Sequence, residues 1–170
     1  MPIWRPVESF DLRRIDEIHV HHSAGTDRSF LQDWKAIWDE HVLVNGWFDI
    51  GYHAVVEMDG GIPMAHFGRP EHVIPASVFR HNSHAMAICI VGNFSLEPPS
   101  KRLLVCAARR VVAPWCVQYD VQINKVLGHR EIPDTNTECP GLLFDMDHFR
   151  DLVSGFIPLA DAERDPETYR

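Results

Sequence analysis

The spacing of hydrophobic and polar residues predicts alternating strands and helices along the chain. Apolar and polar side chains alternate from Ile15 to His22, which is typical of a strand with one buried face. The stretch from Ser29 to Asn45 has helical periodicity; Ser29 and Gln32 form a capping box at its start, and Gly46 follows its end. We expect this helix to bury an apolar stripe made of Leu31, Trp34, Trp38 and Val42.

The rest of the chain continues this alternation. A connection rich in proline and histidine, which we expect to be a loop, occupies residues 61–83. Pro114 should kink or end the long helix in the second half of the chain, because proline lacks a backbone N–H. The predicted elements are, in chain order, strands over Ile50–Met58 and Ala85–Val91, a helix from Ser100 to about Tyr119, a strand over Lys125–Leu127 and a final helix capped by Asp145.

The order of these elements favours an α/β fold, a sheet with helices packed on its faces. The chain has 170 residues, of which 45% are hydrophobic and 24% charged, and this balance suits one domain with its own core. We expect that domain to cover residues 1–155. Residues 156–170 are acidic and polar with few apolar side chains, so we expect them to form a C-terminal tail that is loose or draped over the domain.

Charge and composition exclude several classes of function. The net charge of -8 and the pI near 5.7 do not suit a nucleic-acid partner, which would need clustered Lys and Arg. No apolar run approaches the roughly 20 residues of a membrane span, so we expect no membrane insertion. Met1–Arg14 carries charges and prolines where a secretory signal would be apolar, and we expect synthesis in the cytoplasm. The four cysteines lack the dense pattern of a secreted disulfide framework, which favours a reduced state.

Three residues from two distant motifs are candidate ligands for a soft metal ion. They are His21, in V-H-H-S, and His129 and Cys139, in the loop G-H-R-E-I-P-D-T-N-T-E-C-P-G. Neighbouring side chains of a strand point to opposite faces, so His21 and His22 should not share one ion, and His21 is the better candidate because it ends the strand near a loop. Two imidazoles and a thiolate suit zinc, and three protein ligands leave a position for water or a substrate oxygen, as in catalytic sites. The spacing by itself also allows a purely structural role for the three side chains.

Further motifs, taken in order with these two, resemble a known family. They are G-W-F-D-I-G-Y-H from Gly46 to His53, then D-G, G-R-P, I-C-I-V-G-N-F from Ile88 to Phe94, and F-D-M from Phe144. Over about residues 15–153 the chain resembles the zinc-dependent N-acetylmuramoyl-L-alanine amidases of type 2, which include the phage lysozyme-type amidases and the peptidoglycan recognition proteins. The resemblance implies a central mixed β-sheet flanked by helices, with a groove for a muropeptide over the metal.

The resemblance also implies roles for individual residues. Zn²⁺ would be held by His21, His129 and Cys139. Tyr52 matches the active-site tyrosine of the family, and we expect its hydroxyl to donate to the developing oxyanion. Thr137 lies where phage amidases have lysine and many recognition proteins have threonine, and it would be a second, neutral donor. Without the resemblance, Tyr52 is interpreted as a half-buried core tyrosine.

Other positions depart from the family pattern. Ser77 stands where many members have a histidine that lines the substrate cleft, while Asn82 keeps the asparagine of the same segment and is a candidate substrate contact. Cys89 stands where cytosolic muropeptide-recycling amidases tend to have a glutamate proposed as the base. This difference moves the chain towards the phage lysins.

The implied function is hydrolysis of the amide bond between N-acetylmuramic acid and L-alanine in peptidoglycan, as in an endolysin that degrades the cell wall. Such an enzyme, made without a signal peptide, would reach the wall through a holin-like partner or after cell breakage, and a monomer is favoured. Two alternatives stay open: a cytosolic amidase that recycles soluble muropeptides, and a module that binds peptidoglycan without hydrolysis. Tyr52 and Cys139 argue against the second alternative, because non-catalytic members typically lose the cysteine.

Overall fold

Five β-strands form a mixed sheet in the computed structural model, which describes residues 14–163. The strands are β1 (Glu17–His22), β2 (Ala54–Asp59), β3 (Ile62–Phe67), β4 (Ala85–Ile90) and β5 (Val126–Gly128). They lie in the order β3-β2-β4-β1-β5. Strand β1 is parallel to β4 and β5, and β2 is parallel to β4 but antiparallel to β3. This arrangement confirms the predicted α/β fold with a central mixed sheet.

The edge strand β3 lies where a loop is predicted. Gly60 and Gly61 have positive φ angles of 55° and 82°, which allow a two-residue turn to join β2 to β3. Pro63 is tolerated in β3 because an edge strand has one side on which no backbone N–H is needed. The prediction of a loop over residues 61–83 is therefore wrong for β3. Its side chains are half-buried or exposed, so no regular hydrophobic alternation marks the strand.

Helices cover both faces of the sheet. They are α1 (Phe30–Trp38), continued by a π-helical segment (Asp39–Val44), α2 (Lys101–Ala107), continued by a second π-helical segment (Ala108–Val112), α3 (Ala113–Tyr119) and α4 (Met146–Glu163). Pro114 lies in the first turn of α3, directly after the second π-helical segment. The helix does not end at Pro114 but continues to Tyr119, and the wider π-helical turn lies before the proline, where its missing N–H is tolerated.

Helix α1 buries a different face from the predicted one. Leu31 is 76% exposed and Trp38 is 38% exposed, whereas the buried positions of α1 and its continuation are Asp33, Ile37 and His41. The predicted apolar stripe is wrong for Leu31 and Trp38, whereas Trp34 is half-buried and packs against a core cluster. Asp33 and His41 can take buried positions because both have hydrogen-bond partners. The backbone N–H of Arg28 donates to Asp33 Oδ2 at 2.7 Å, and the N–H of Gly51 donates to His41 Nδ1 at 2.9 Å.

The two faces of the sheet have different roles in packing. Helices α2, α3 and α4 cover one face and enclose the larger core, which includes Ile18, Val56, Ile88 and Phe149. Helix α1 covers the other face over a smaller apolar cluster. That cluster consists of Ile37, Ile50, Val55, Cys89 and Val91.

The last helix runs beyond the predicted domain boundary. Helix α4 continues past Gly155 to Glu163, and Phe156, Ile157 and Ala160 pack against the larger core. A loose tail is therefore the wrong prediction for residues 156–163, since its few apolar side chains lie on one face of a helix. The rest of the predicted tail, and most of the N-terminal segment compared with a secretory signal, lie outside the described residues. None of the helices in residues 14–163 is both long and apolar enough to cross a membrane.

Candidate metal centre

The three predicted metal ligands come together at one end of the sheet. Strands β1 and β5 are parallel neighbours with Val20 opposite Gly128, so His21 and His129 follow at the same edge. Cys139 lies in the loop after β5. The candidate ligand atoms of the three residues lie within 4.8 Å of one another, and His21 Nδ1 is 3.6 Å from Cys139 Sγ. The ring centres of the two histidines are 4.8 Å apart.

The distances and the chemistry of these side chains fit a zinc ion. Bond lengths of about 2.3 Å to sulfur and about 2.0 Å to nitrogen, at a tetrahedral angle, put the two donor atoms about 3.6 Å apart. His21 is 2% exposed, and its Nε2 atom has no hydrogen-bond partner among residues 14–163. Burial lowers the pKa of His21 well below its ordinary value, which keeps the imidazole in the neutral form that binds metals. Burial raises the pKa of the Cys139 thiol to about 11, so a cation would have to displace its proton.

Arg130 follows His129 directly and binds the segment that carries Cys139. Its backbone N–H donates to the Cys139 carbonyl at 2.7 Å. Its guanidinium donates to the carbonyls of Gly141 and Phe144, the second at 2.7 Å. Gly141, with a φ of 107°, lets the loop pass close to the backbone of Phe94, where a side chain would collide. One arginine therefore ties two candidate ligands into a single unit.

Tyr52 lies beside these ligands, two residues before the start of β2. The centre of its ring is 5.3 Å from that of His21 and 5.2 Å from that of His41. Burial, and then the nearby thiols of Cys89 and Cys139, raise the pKa of Tyr52 well above its ordinary value. The hydroxyl is therefore protonated at neutral pH and can donate a hydrogen bond.

The other two predicted site residues bond within their own loops. Thr137 Oγ1 accepts a hydrogen bond from the backbone N–H of Cys139 at 3.1 Å, which leaves its hydroxyl hydrogen for another acceptor. Asn82 Oδ1 accepts hydrogen bonds from the N–H groups of Ser77 and Val78, at 3.2 and 2.9 Å. Asn82 thus shapes its own segment. The donor role of Thr137 and the substrate contact of Asn82 stay predictions.

Comparison with known proteins agrees with this geometry. The family model described as N-acetylmuramoyl-L-alanine amidase matches residues 11–142. The chain belongs to this amidase family. The match includes His21, Tyr52, His129 and Cys139, which the fold brings to one place.

Relatives of this amidase-family chain include peptidoglycan recognition proteins. Peptidoglycan-recognition protein LB of Drosophila melanogaster is 33% identical over 127 residues, which are 72% of the chain and 53% of the relative. N-acetylmuramoyl-L-alanine amidase of Homo sapiens is 34% identical over 139 residues, 76% of the chain and 23% of the relative. A solved structure of a Drosophila PGRP-LB mutant in complex with tracheal cytotoxin matches at 30% identity with a TM-score of 0.68, over 82% of each chain. The chain spans about half the length of the first relative and about a quarter of the second.

A cavity of about 140 Å³ opens beside Tyr52 in this amidase-family domain. It lies between α1 and the loop after β1, and its walls include residues that the sequence pattern does not single out. A hydrophobic pattern assigns polar residues of α1 to the solvent face. Asp33 and His41 nevertheless lie four residues before and after Ile37, which is the spacing of a single helix face. These additional lining residues are Ser23, Arg28, Asp33, Glu40 and His41.

Proposed function

We propose that the protein is a zinc-dependent hydrolase that cleaves the amide bond between N-acetylmuramic acid and L-alanine in peptidoglycan. The observation that carries this proposal is the group of three donors, His21, His129 and Cys139, with the protonated hydroxyl of Tyr52 next to it. Three protein donors leave a coordination position for a reactant, whereas a structural zinc site uses four. A module that binds peptidoglycan without hydrolysis, one of the two alternatives, has no need of a complete ligand set.

The chemistry divides between the ion and the side chains of the protein. When bound, zinc is a Lewis acid that polarises a carbonyl and lowers the pKa of a water molecule to about 7. Tyr52 would donate a hydrogen bond to the amide oxygen as that oxygen gains negative charge. Thr137 would add a second neutral donor. Helix α1 and the loop after β1 would provide the wall of the substrate site on the side of Tyr52, where they line the cavity.

Peptidoglycan and its fragments are the substrate class that we propose. The complex of the Drosophila PGRP-LB mutant with tracheal cytotoxin supports this class, because that relative is 30% identical to the chain in a match that covers 82% of each. An endolysin-like action on the intact wall is the first choice within the class. Recycling of soluble muropeptides is the alternative, and Cys89 in place of a glutamate base argues against it.

The test is product analysis with two substrates. The zinc-loaded chain is incubated with purified peptidoglycan and with soluble anhydro-muropeptides, with and without a chelator. We expect stem peptides with a free N-terminal alanine, which disappear with the chelator. Absence of such peptides with both substrates contradicts the proposal, and release from the soluble fragments alone favours the recycling alternative.

A matched pair of cysteine variants tests the assignment of the metal ligand. Cys139→Ser should lose both bound zinc and hydrolysis, because the oxygen of serine is a poorer zinc ligand than a thiolate. Cys106→Ser changes a buried thiol of α2 on the other face of the sheet and should keep both. Full zinc content in the Cys139→Ser variant would show that the ligand is assigned wrongly.

A further inference from the structure

A second cluster of metal-binding side chains within residues 14–163 lies at the other end of strand β1. Asp16, Glu17 and His84 each offer a carboxylate oxygen or an imidazole nitrogen, and these three atoms lie within 4.8 Å of one another. Glu17 precedes His21 by four residues along β1, which corresponds to roughly 13 Å of extended strand. The cluster is therefore separate from the candidate metal centre.

The backbone of the sheet brings these three residues together. Asp16 and Glu17 lead into β1, and His84 ends a short 3-10 helix (Asn82–His84) that runs directly into β4. Strands β1 and β4 are parallel with Glu17 opposite Ala85, and the N–H of Asp16 donates to the His84 carbonyl at 3.0 Å. The central sheet thus fixes the positions from which the donors extend.

The distances in this cluster suit an ion that is held by oxygen and nitrogen. His84 Nε2 lies 3.3 Å from Glu17 Oε2. Bonds of about 2.0–2.1 Å to zinc, at a tetrahedral angle, put an oxygen and a nitrogen donor about 3.4 Å apart. Glu17 is 9% exposed, but Asp16 is exposed and His84 is half-buried. An ion can therefore reach the cluster from the solvent.

Glu17 can bind such an ion without leaving its other partners. Its Oε1 accepts a hydrogen bond from Lys125 Nζ at 2.9 Å, whereas its Oε2 lies 3.1 Å from Nε2 of the buried His19. A carboxylate oxygen has two lone pairs, so Oε2 can accept from His19 and still face an ion. The contact with His19 orients the carboxylate, as bonds from outside a coordination sphere orient metal ligands. The ammonium of Lys125 repels a cation, which should make this site weaker than the candidate metal centre.

We propose that Asp16, Glu17 and His84 form a second, weaker Zn²⁺ site, which ties the start of β1 to the segment before β4. Two carboxylates and one imidazole are a ligand set that zinc accepts. The alternative is an ion pair between Glu17 and a protonated His84, with no affinity for a metal ion. The inference does not depend on hydrolysis, because the cluster lies away from Tyr52 and from the candidate metal centre.

Calorimetric titration of the full chain tests the proposal. The zinc-loaded chain is dialysed against metal-free buffer, which should keep the first ion and remove the weaker second one, and is then titrated with Zn²⁺. We expect the wild type to bind one further ion per chain. His84→Ala should weaken this binding by at least about tenfold, because loss of a ligand costs no less than loss of a group that orients one. A wild type that binds no further ion, or equal affinity in His84→Ala, overturns the proposal.

Two further variants separate this site from other sources of zinc binding. His148→Ala removes an exposed histidine of α4 and is the matched control, which should titrate like the wild type. Cys139→Ser, which should lose the first ion on dialysis, should still bind the second on titration. Failure of the candidate metal centre and failure of the second site are therefore distinguished.

Lys125→Met tests the position of the ion in the opposite direction. The side chain of Lys125 is 49% exposed, so the fold should tolerate the change. Affinity for the second ion should rise roughly fivefold, because a repelling charge next to Glu17 is removed. Added Zn²⁺ should also raise the Tm of the wild type and of this variant, but not that of His84→Ala. An affinity that stays equal or falls in Lys125→Met contradicts the placement of the ion beside Glu17.

Nitrogen-15 NMR of the histidine side chains identifies the ligand directly. The chain has 11 histidines, and comparison with His84→Ala assigns the signals of His84. Addition of Zn²⁺ to the dialysed wild type should shift the His84 Nε2 signal and leave those of His148 in place. Shifts confined to other histidines would show an adventitious ion only and would overturn the proposal.

Discussion

Burial sets the protonation state of the individual side chains around the candidate metal centre. It raises the pKa of Tyr52 and of Cys139 and lowers the pKa of His21 and of His129. The tyrosine is consequently a donor at neutral pH, and both imidazoles are neutral. The thiol is the one ligand that must lose a proton when a metal ion binds, so binding should release acid to the solution.

Tyr52→Phe tests the hydroxyl without a large change of shape. We expect kcat for muropeptide hydrolysis to fall roughly 10²- to 10³-fold, the usual cost of a lost donor to a developing oxyanion. Bound zinc should stay at the wild-type level, because the hydroxyl is not among the metal ligands. Tyr119→Phe, which removes a hydroxyl bonded to Glu71 on the far side of the domain, is the control and should keep kcat. Equal rates for wild type and Tyr52→Phe would remove Tyr52 from the mechanism.

Single residues of the site differ in how far the sequence predicts them. His21 follows from strand alternation and from the preference of zinc for imidazole and thiolate, and the structure places it with the two other predicted ligands. Tyr52 is half-buried, as its strand pattern suggests, but only the resemblance to a family indicates a chemical role. The bonds of Thr137 and Asn82 depend on the backbone of irregular loops, which residue spacing does not encode.

At the scale of elements, the loop between β5 and α4 keeps the metal ligands in place. Besides the bonds of Arg130, the hydroxyl of Thr135 donates to the carbonyls of His129 and Ile132, at 2.9 and 2.7 Å. The N–H of Leu143 donates to the Phe94 carbonyl at 2.8 Å. Side chains that orient metal ligands contribute to affinity for the ion although they do not touch it.

Arg130→Gln should weaken zinc binding by about 10- to 100-fold, because the guanidinium bonds to the Gly141 and Phe144 carbonyls are lost. Competition with a chromogenic chelator measures the affinity. Arg109→Gln, at an exposed position between α2 and α3, is the matched control and should bind zinc like the wild type. An unchanged affinity in the Arg130→Gln variant would mean that the loop keeps its shape without this side chain.

Helix α4 contributes to stability over its whole described length. A chain that ends at Gly155 loses the packing of Phe156 and Ile157 on the core, and we expect its free energy of unfolding to fall by about 3 kcal/mol. Urea unfolding measures the change. A chain that ends at Glu163 keeps the described helix and is the control. Equal midpoints for the full chain and the chain that ends at Gly155 would support the predicted loose tail instead.

Elements with strong, regular patterns could be predicted from the sequence, and those with mixed patterns could not. Strands β1 and β4 are buried along most of their length and are confirmed. Strand β3 lies at an edge, where proline and exposed side chains hide the alternation. The buried face of α1 and its continuation carries Asp33 and His41. Their burial is favourable because they accept hydrogen bonds from the backbone of Arg28 and Gly51, and a hydrophobic pattern does not reveal such partners in loops.

At the scale of the whole molecule, the edge hairpin and α1 enclose a buried acid away from the metal. Glu57 is 1% exposed, and its carboxyl lies 2.9 Å from His66 Nε2. Burial, and then the charges of Asp33, Asp59 and Asp27, raise the pKa of Glu57 to about 7. His66 also stacks on Phe30 of α1, with ring centres 4.0 Å apart. Stability of this side of the molecule should therefore depend on pH.

Glu57→Gln should change that dependence in a definite direction. A carboxyl whose pKa rises on folding binds its proton more tightly in the folded state, so wild-type stability should decline as pH rises from about 4.5 to about 7. At pH values near 8 the variant should exceed the wild type by roughly 1–2 kcal/mol, and near pH 4 the difference should disappear. Denaturant unfolding across this pH range measures the difference in the free energy of unfolding. Glu97→Gln, at an exposed position, is the control. Parallel curves for wild type and Glu57→Gln contradict the expectation.

One face of the sheet packs under α2, α3 and α4, and the other bears the cavity beside Tyr52. This separation affects how such a protein can change over time. Heat resistance and turnover draw on different surfaces. Substitutions that tighten the three-helix layer can accumulate without disturbing the reacting groups. Durability and catalytic speed are therefore open to improvement by separate mutational routes, in nature or in the laboratory.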